Sequence, residues 1–302
     1  MRNILTIVFR LTVSCLLAGV VMGATFMATN KAKKHNEHVR EQKVMLNLLG
    51  YSEKKPAPET LSMHELHRYI VSEGDAIFTG YLLPLAGESP GKYAFVTIDL
   101  DGNFYSRNDV NLTAREIEEG GASEQAIAVA LGDGKTIRYT NQIIVVSNGG
   151  QRLGYLLPRK FPGFKTFISV MLALEPDFSI RGLEIMEHEE DPGLGGEIVQ
   201  DYFKKQFKGK SFETAKNLEV VKTPMPEEYR RVLEAETDGQ ISEEEVERLK
   251  TQYSDGDIYA LTGATISSRA VTNGVKRILK KTSYRMAILD RVLAEQQIAV
   301  PF

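Results

Sequence analysis

Cysteine is almost missing from this chain, Cys15 being the only one. An intramolecular disulfide is therefore excluded, and so are zinc and iron–sulfur sites built on several thiolates. Any redox chemistry has to come from a cofactor held by other residues. An excess of either charge is missing too, with 37 Lys and Arg against 40 Asp and Glu. No basic field is available to neutralise a run of phosphates, and nucleic acid is not an expected partner. Nor is there the bias of a disordered or fibrous chain: 302 residues, 25% charged and 42% hydrophobic, suffice to bury a core. Internal repeats, low-complexity tracts and a dinucleotide fingerprint are absent, and Gly132-Asp133-Gly134 is a turn signal too short for a phosphate loop.

What the sequence does have is a long apolar run at its start. No charged residue occurs from Leu11 to Thr29, and the run extends back through Ile4, Leu5, Ile7, Val8 and Phe9 with Arg10 as the only interruption. As a helix, that length crosses a hydrocarbon core of about 30 Å. A cleaved signal peptide is the alternative, with Ala18, Gly19, Gly23 and Ala24 as small residues for a cleavage site; its apolar region is usually shorter, which favours retention as an anchor. Lys31, Lys33, Lys34, Arg40 and Lys43 follow the span, against Arg2 and Arg10 before it. That count alone places the following domain in the cytoplasm. A short basic head before a long apolar run, and no cysteine beyond it, suit export instead.

Beyond the anchor (residues 1–30), a charged helical stalk from Lys31 to Leu49 and a linker from Tyr51 to Glu59, with Pro56 and Pro58, are expected. Lys92 to Tyr105 reads as a hairpin: Ala94, Val96, Ile98 and Leu100 alternate before an Asp101-Gly102 turn. Gln142–Val146, Leu153–Leu157, Phe167–Leu174 and Arg181–Met186 are further strand candidates. Helical patterns occupy part of Leu112–Ala130, Ile198–Phe207, Glu227–Tyr253 with an interruption, and Ser267 to the C-terminus. Strands and helices mix without strict alternation, so the expected class is α+β, one transmembrane helix followed by a mixed domain with a helical insertion. The expected divisions of the soluble part are residues 61–140, 141–281 with an acidic insertion at 222–254, and a C-terminal helix at 282–302.

Leu261-Thr262-Gly263-Ala264-Thr265 feeds directly into Ile266-Ser267-Ser268-Arg269-Ala270-Val271, where Ile266, Ala270, Val271, Val275, Ile278 and Leu279 share a helical face. Unsatisfied N–H groups and a positive dipole end make such a start receptive to a phosphate on Thr265. A plain structural alternative is that Thr265, Ser267 or Ser268 merely caps the helix. Upstream lies His188-Glu189-Glu190-Asp191-Pro192-Gly193-Leu194-Gly195, which reads as a loop with Glu190 as its anchor and His188 as an ordinary satisfied histidine.

The first motif resembles the flavinylation motif of the FMN-binding domain found in the G subunit of the Rnf complex and the C subunit of the sodium-pumping NADH:quinone reductase. The second resembles that family's His-x-Glu-Thr-Pro-Gly-Leu-Gly loop beside the flavin. The resemblance covers about Gln142 to Lys281. It departs from the family at Tyr259, where aspartate is usual and Asp257 stands two residues off, at Asp191 in place of the loop threonine, and at Phe164-Lys165-Thr166-Phe167, which lacks a glycine pair. Arg269-Ala270-Val271 is more similar to the Rnf G subunit.

The resemblance implies FMN bonded through its phosphate to Thr265, with Thr262, Gly263, Ala264, Glu190, Pro192, Gly193, Leu194 and Gly195 forming the cofactor site. It implies no catalytic acid–base pair and no metal, and a role as an electron-transfer subunit of a membrane-bound, ion-translocating ferredoxin:NAD oxidoreductase. The expected partners are the other subunits of such a complex, the membrane, and an FMN transferase for maturation; because that transferase is an exported protein, the soluble domain is expected on the periplasmic side of the inner membrane. A stand-alone membrane-anchored FMN protein and a C-type quinone reductase subunit are the alternatives. A third reading, a calcium-responsive anchor, comes from Glu234 to Glu245, whose acidic and glycine spacing fits a calcium loop; an acidic helical hairpin is the preferred account of it.

Overall fold

The computed structural model describes residues 2–87, 91–113, 116–117, 120–132, 134–235, 243–253 and 256–302. Contacts divide the chain into Met1–Asn47 and Leu48–Phe302. In the first unit a single helix, α1 (Arg2–Leu48), carries both the apolar run and the charged stretch after it, with no break at Lys31. By length and composition it is able to cross a membrane. Thr12, Thr25 and Thr29 donate their hydroxyls to the carbonyls of Val8, Val21 and Thr25 at 2.9, 2.8 and 2.7 Å. These polar groups are thus satisfied within the helix and place no unpaired donor in an apolar surrounding.

The second unit is built on one eight-stranded antiparallel sheet in the order β4-β3-β2-β1-β5-β6-β7-β8. Its strands are β1 (Leu61–Glu73), β2 (Ala76–Pro84), β3 (Lys92–Ile98), β4 (Phe104–Asn111), β5 (Lys135–Asn148), β6 (Gln151–Pro162), β7 (Phe167–Leu174) and β8 (Ile180–Glu187). With the helices set against it, this is the expected α+β class. The β3–β4 hairpin is present, with Ala94, Val96 and Ile98 buried on one face. Leu100, expected to continue the alternation, sits in the turn and is exposed. β5 runs across residue 140, so the segments 61–140 and 141–281 contribute to the same sheet.

Each face of the sheet has its own apolar layer. On one, Tyr69, Val71, Phe78, Leu82 and Phe95 pack with Ile127 of α2 (Gly120–Leu131). On the other, Leu66, Val96, Val145, Leu157, Val170 and Leu172 meet the long helix α7 (Thr265–Glu295) through Val271, Val275, Leu279, Met286, Leu289 and Val292. Each such fully buried side chain contributes roughly 1.5–3 kcal/mol by leaving water. Ile266, expected on that face, is 59% exposed instead. α7 also crosses residue 281 and stops at Glu295; Gln297 turns to φ 52 and Ile298 is buried, so the last residues form a tail and not the helix expected through Phe302.

The pattern from Ile198 to Phe207 resolves into a 3-10 turn Gly195–Val199, the short helix α3 (Asp201–Lys204) and a second 3-10 turn Lys205–Phe207. After α4 (Phe212–Ala215), β9 (Val220–Val221) pairs in parallel with β10 (Ile258–Tyr259). Between these paired strands lie α5 (Glu227–Ala235) and α6 (Glu243–Tyr253), a helical excursion that returns the chain to where it left. The acidic loop expected at residues 234–245 falls largely outside the described residues.

Candidate functional site

Three segments far apart in sequence meet at the N-terminus of α7. The first is the turn Gly163–Thr166 joining β6 to β7, closed by Gly163 N–H donating to the Thr166 carbonyl at 2.6 Å. The second is the loop after β8. There the Asp191 carbonyl accepts from Leu194 N–H at 3.1 Å and Gly196 N–H at 2.8 Å, and His188 Nδ1 accepts from Glu190 N–H at 3.2 Å. His188 is therefore a satisfied loop partner, the ordinary role expected of it. The third is the turn Leu261–Ala264 leading into α7.

Glu190 ties the three together. The residue is buried, 5% exposed. Oε1 accepts the Phe164 and Lys165 N–H groups at 2.8 and 3.3 Å, and Oε2 accepts the Ser267 hydroxyl. A buried carboxylate is tolerated when its lone pairs are met this way. Gly195 makes the junction possible: a Cβ there would fall 2.5 Å from Ser267 Oγ and 2.8 Å from Glu190 Oε2. Outside it, Lys165 pairs with Asp191, which holds the ammonium above its usual pKa.

The strand entering the motif is clamped as well. Gln206 accepts Tyr259 N–H at 2.7 Å and donates to its carbonyl at 3.3 Å. Asp257, displaced from the position usual in the resembling family, accepts the Glu219 N–H at 2.9 Å and so fixes β9 beside β10. Gly263 then turns with φ 75, a conformation that favours glycine, and α7 begins.

At this start the N-cap is Ala264, which has no side-chain acceptor, and Thr265 is the first helical residue. Thr265 is thus not the cap of its helix. Ser268 organises the turn from below, donating to the Ala264 carbonyl and accepting Leu261 N–H, both at 3.0 Å. The helix therefore keeps its N-terminal amide end uncapped by its N-cap side chain, next to a half-buried hydroxyl.

The three segments enclose a cavity of about 250 Å³ lined by Phe164, Glu190, Asp191, Leu194, Gly195, Gly263, Ala264, Thr265, Ile266 and Ser267. Of the residues expected for a cofactor site, Glu190, Leu194, Gly195, Gly263, Ala264 and Thr265 line it. Pro192, Gly193 and Thr262 do not; all three are exposed beside it. Four lining residues stand outside the residues named for the cofactor site: Phe164, Ile266 and Ser267, and Asp191, which lies within the loop expected beside the flavin. For Ser267 a signal existed, since a residue two places into a helix shares the first turn with Thr265. For Phe164 the only signal was the place of Phe164-Lys165-Thr166-Phe167 in the resemblance, where a glycine pair is usual; the β6–β7 turn is what brings it here. The surroundings suit a flavin phosphate and its ring: a helix start for the anion, a glycine-opened junction, and Phe164, Leu194 and Ile266 presenting apolar surface, 57%, 47% and 59% exposed.

Residues 163–280, which contain every one of these elements, match the FMN-binding domain family. Among curated proteins the chain is similar to the G subunit of the proton-translocating ferredoxin:NAD(+) oxidoreductase complex of Clostridium ljungdahlii, 30% identical over 45% of this chain and 56% of that one. It is similar also to the C subunit of the Na(+)-translocating NADH-quinone reductase of Vibrio vulnificus, 29% identical over 36% of this chain and 44% of that one. The chain spans about half the length of the curated relatives it matches. Among solved structures it is similar to Shewanella oneidensis NqrC, 22% identical over 48% of this chain and 57% of that one, with a TM-score of 0.33.

Proposed function

We propose that this chain carries FMN joined through its phosphate to the Thr265 hydroxyl and serves as an electron-transfer subunit of a membrane-bound, ion-translocating ferredoxin:NAD oxidoreductase. The observation that carries the reading is the meeting, inside the segment matching the FMN-binding domain, of Thr265 at an uncapped helix start with the loop held by Glu190. FMN supplies reversible electron uptake and release when bound. The protein's own residues supply attachment and position. Forming the ester replaces the Thr265 O–H bond with an O–P bond; the proton is lost and a leaving group departs from an activated flavin phosphate delivered by a transferase. The amide end of α7 would stabilise the phosphate's charge, while Glu190, through Ser267 and the Phe164 and Lys165 N–H groups, would hold the loop and turn that flank Thr265 in place.

Loss of a carrier between one electron and the next would stop transfer, and a covalent tether prevents it. No independent catalysis is expected. α1 serves as the anchor, and the soluble unit lies on the periplasmic side, where an exported transferase reaches it. The likeness to the C subunit of the quinone reductase supports a second assignment with the same site and a different complex.

The mass of the intact protein, coexpressed with a flavin transferase, tests the attachment. One added FMN, lost in Thr265→Ala with the fold retained, is expected; flavin surviving denaturation of that variant overturns the assignment. Protease added to spheroplasts tests the orientation, and a soluble unit digested only in inverted vesicles would be cytoplasmic.

A further inference from the structure

Away from the flavin site, three arginines meet between the sheet and α7. Arg68 lies on β1, opposite Tyr81 of β2 and Asn141 of β5 in the strand register. Its neighbour two residues back, Leu66, is in the layer facing α7, as is Tyr81. Arg159 lies on β6 between Leu157 and Phe161 of the same layer. Arg285 lies on α7 beside the buried Met286. The three positive charges act on one another. Burial lowers the pKa of Arg68 to about 10 with help from Arg285, and burial lowers that of Arg159 to about 10 with help from Arg68 and Arg285.

Such a grouping ordinarily contains carboxylates. Here Arg68, although 5% exposed, has only a 3.5 Å bond from Nε to Asn141 Oδ1. Arg159 spends Nη1 on the carbonyls of Gln142 and Pro158. Among the described residues none of the three has an ion pair, and Arg285 has no hydrogen bond. The unused guanidinium nitrogens are not among the buried atoms lacking a partner, so solvent reaches them. Tyr81, whose phenol is buried and feels both Arg68 and Arg285, adds a hydroxyl to the same place.

The geometry points to a binding site for a small oxyanion, a phosphate or carboxylate group, held between Arg68, Arg159 and Arg285. Planar guanidinium forks suit two-oxygen contacts with such a group, and an anion offsets the mutual repulsion of the three cations. This site is separate from the cavity at Thr265, and it stands whether or not flavin is attached there.

The test uses the full chain in detergent, carrying whatever flavin it is purified with. Its melting temperature and binding heat are followed as inorganic phosphate, succinate or chloride is added at constant ionic strength. A saturable rise with phosphate or with succinate, absent with chloride, is expected, and which of the two gives it names the source. Arg285→Gln and Arg159→Gln should each weaken that binding about tenfold or more. In anion-free buffer Arg285→Gln should melt no lower than the parent, because it removes repulsion and neither a hydrogen bond nor an ion pair, and glutamine keeps most of the aliphatic stem. The site is refuted if phosphate and succinate act no differently from chloride, if both variants bind as the parent does, or if Arg285→Gln is less stable without anion.

Discussion

At Ser211 and at Ala264 the chain enters a helix in two different ways. Before α4, Ser211 stands at the N-cap and its hydroxyl oxygen accepts the Thr214 N–H at 3.1 Å, the arrangement that satisfies one of the orphan donors of a helix start. Near Thr113 the same economy recurs: its hydroxyl and N–H both donate to Glu116, which in return donates its own N–H to Thr113 Oγ1 at 3.3 Å. At α7, the longest helix of the soluble unit, the N-cap is an alanine and the hydroxyl comes one residue late. The capping oxygen is absent where the helix is largest and its amide end opens on a cavity. A helix built for stability alone would put the hydroxyl at the cap; this one leaves its amide end without a side-chain cap beside the cavity.

The largest break in that comparison comes from the floor of the cavity. Glu190→Ala leaves the Phe164 and Lys165 N–H groups and the Ser267 hydroxyl without their acceptor, at a cost of about 3 kcal/mol. For a unit of this size the midpoint of thermal unfolding should fall by roughly 6–12 °C. Flavin content, read by fluorescence after denaturation, should fall with it. A variant that melts with the parent would mean that Glu190 does not join the three segments.

Ala264→Ser sharpens the comparison directly, by giving α7 the cap that α4 has. A serine oxygen there competes with the phosphate for the same amides, so the fraction of protein carrying flavin, measured by intact mass, should drop while thermal stability is kept. Conversely, Ser211→Ala takes the cap from α4 and should cost about 1 kcal/mol with flavin content unchanged. Equal effects of the two changes on flavin content would erase the distinction between the two helix starts.

How legible all this was depended on which residues faced one way. β7 matched its expected range, Phe167–Leu174, because an apolar run between two turn signals is a strand with few alternatives. The β3–β4 hairpin showed through its alternation and its Asp-Gly turn. β1 did not show, since Leu66, His67, Arg68 and Tyr69 are all buried in succession, leaving no period of two to read, and His and Arg do not advertise a strand. At the site, the two motifs were legible because each is contiguous. The contact that joins them was not: Glu190 reaches Ser267 across 77 residues of sequence, and only the sheet brings them together.

The smallest effect is expected at Thr262, the other threonine of the motif. It is exposed, it does not line the cavity, and it precedes the Gly263 turn that aims the chain into α7. Thr265, three residues on, is half-buried and lines it. If the ester needed only a hydroxyl near the helix start, either threonine would serve and each single alanine variant would keep some flavin. If it needs a hydroxyl held at the amide end of α7, Thr262 is a bystander. Thr262→Ala should then change stability by no more than about 0.5 kcal/mol, as exposed substitutions do. Its flavin content, measured as the fraction of intact protein with one added FMN, should match the parent's. Substantial loss of flavin in Thr262→Ala, with the melting temperature unchanged, would show that the motif's first hydroxyl takes part in attachment and that the cavity lining alone does not define the acceptor.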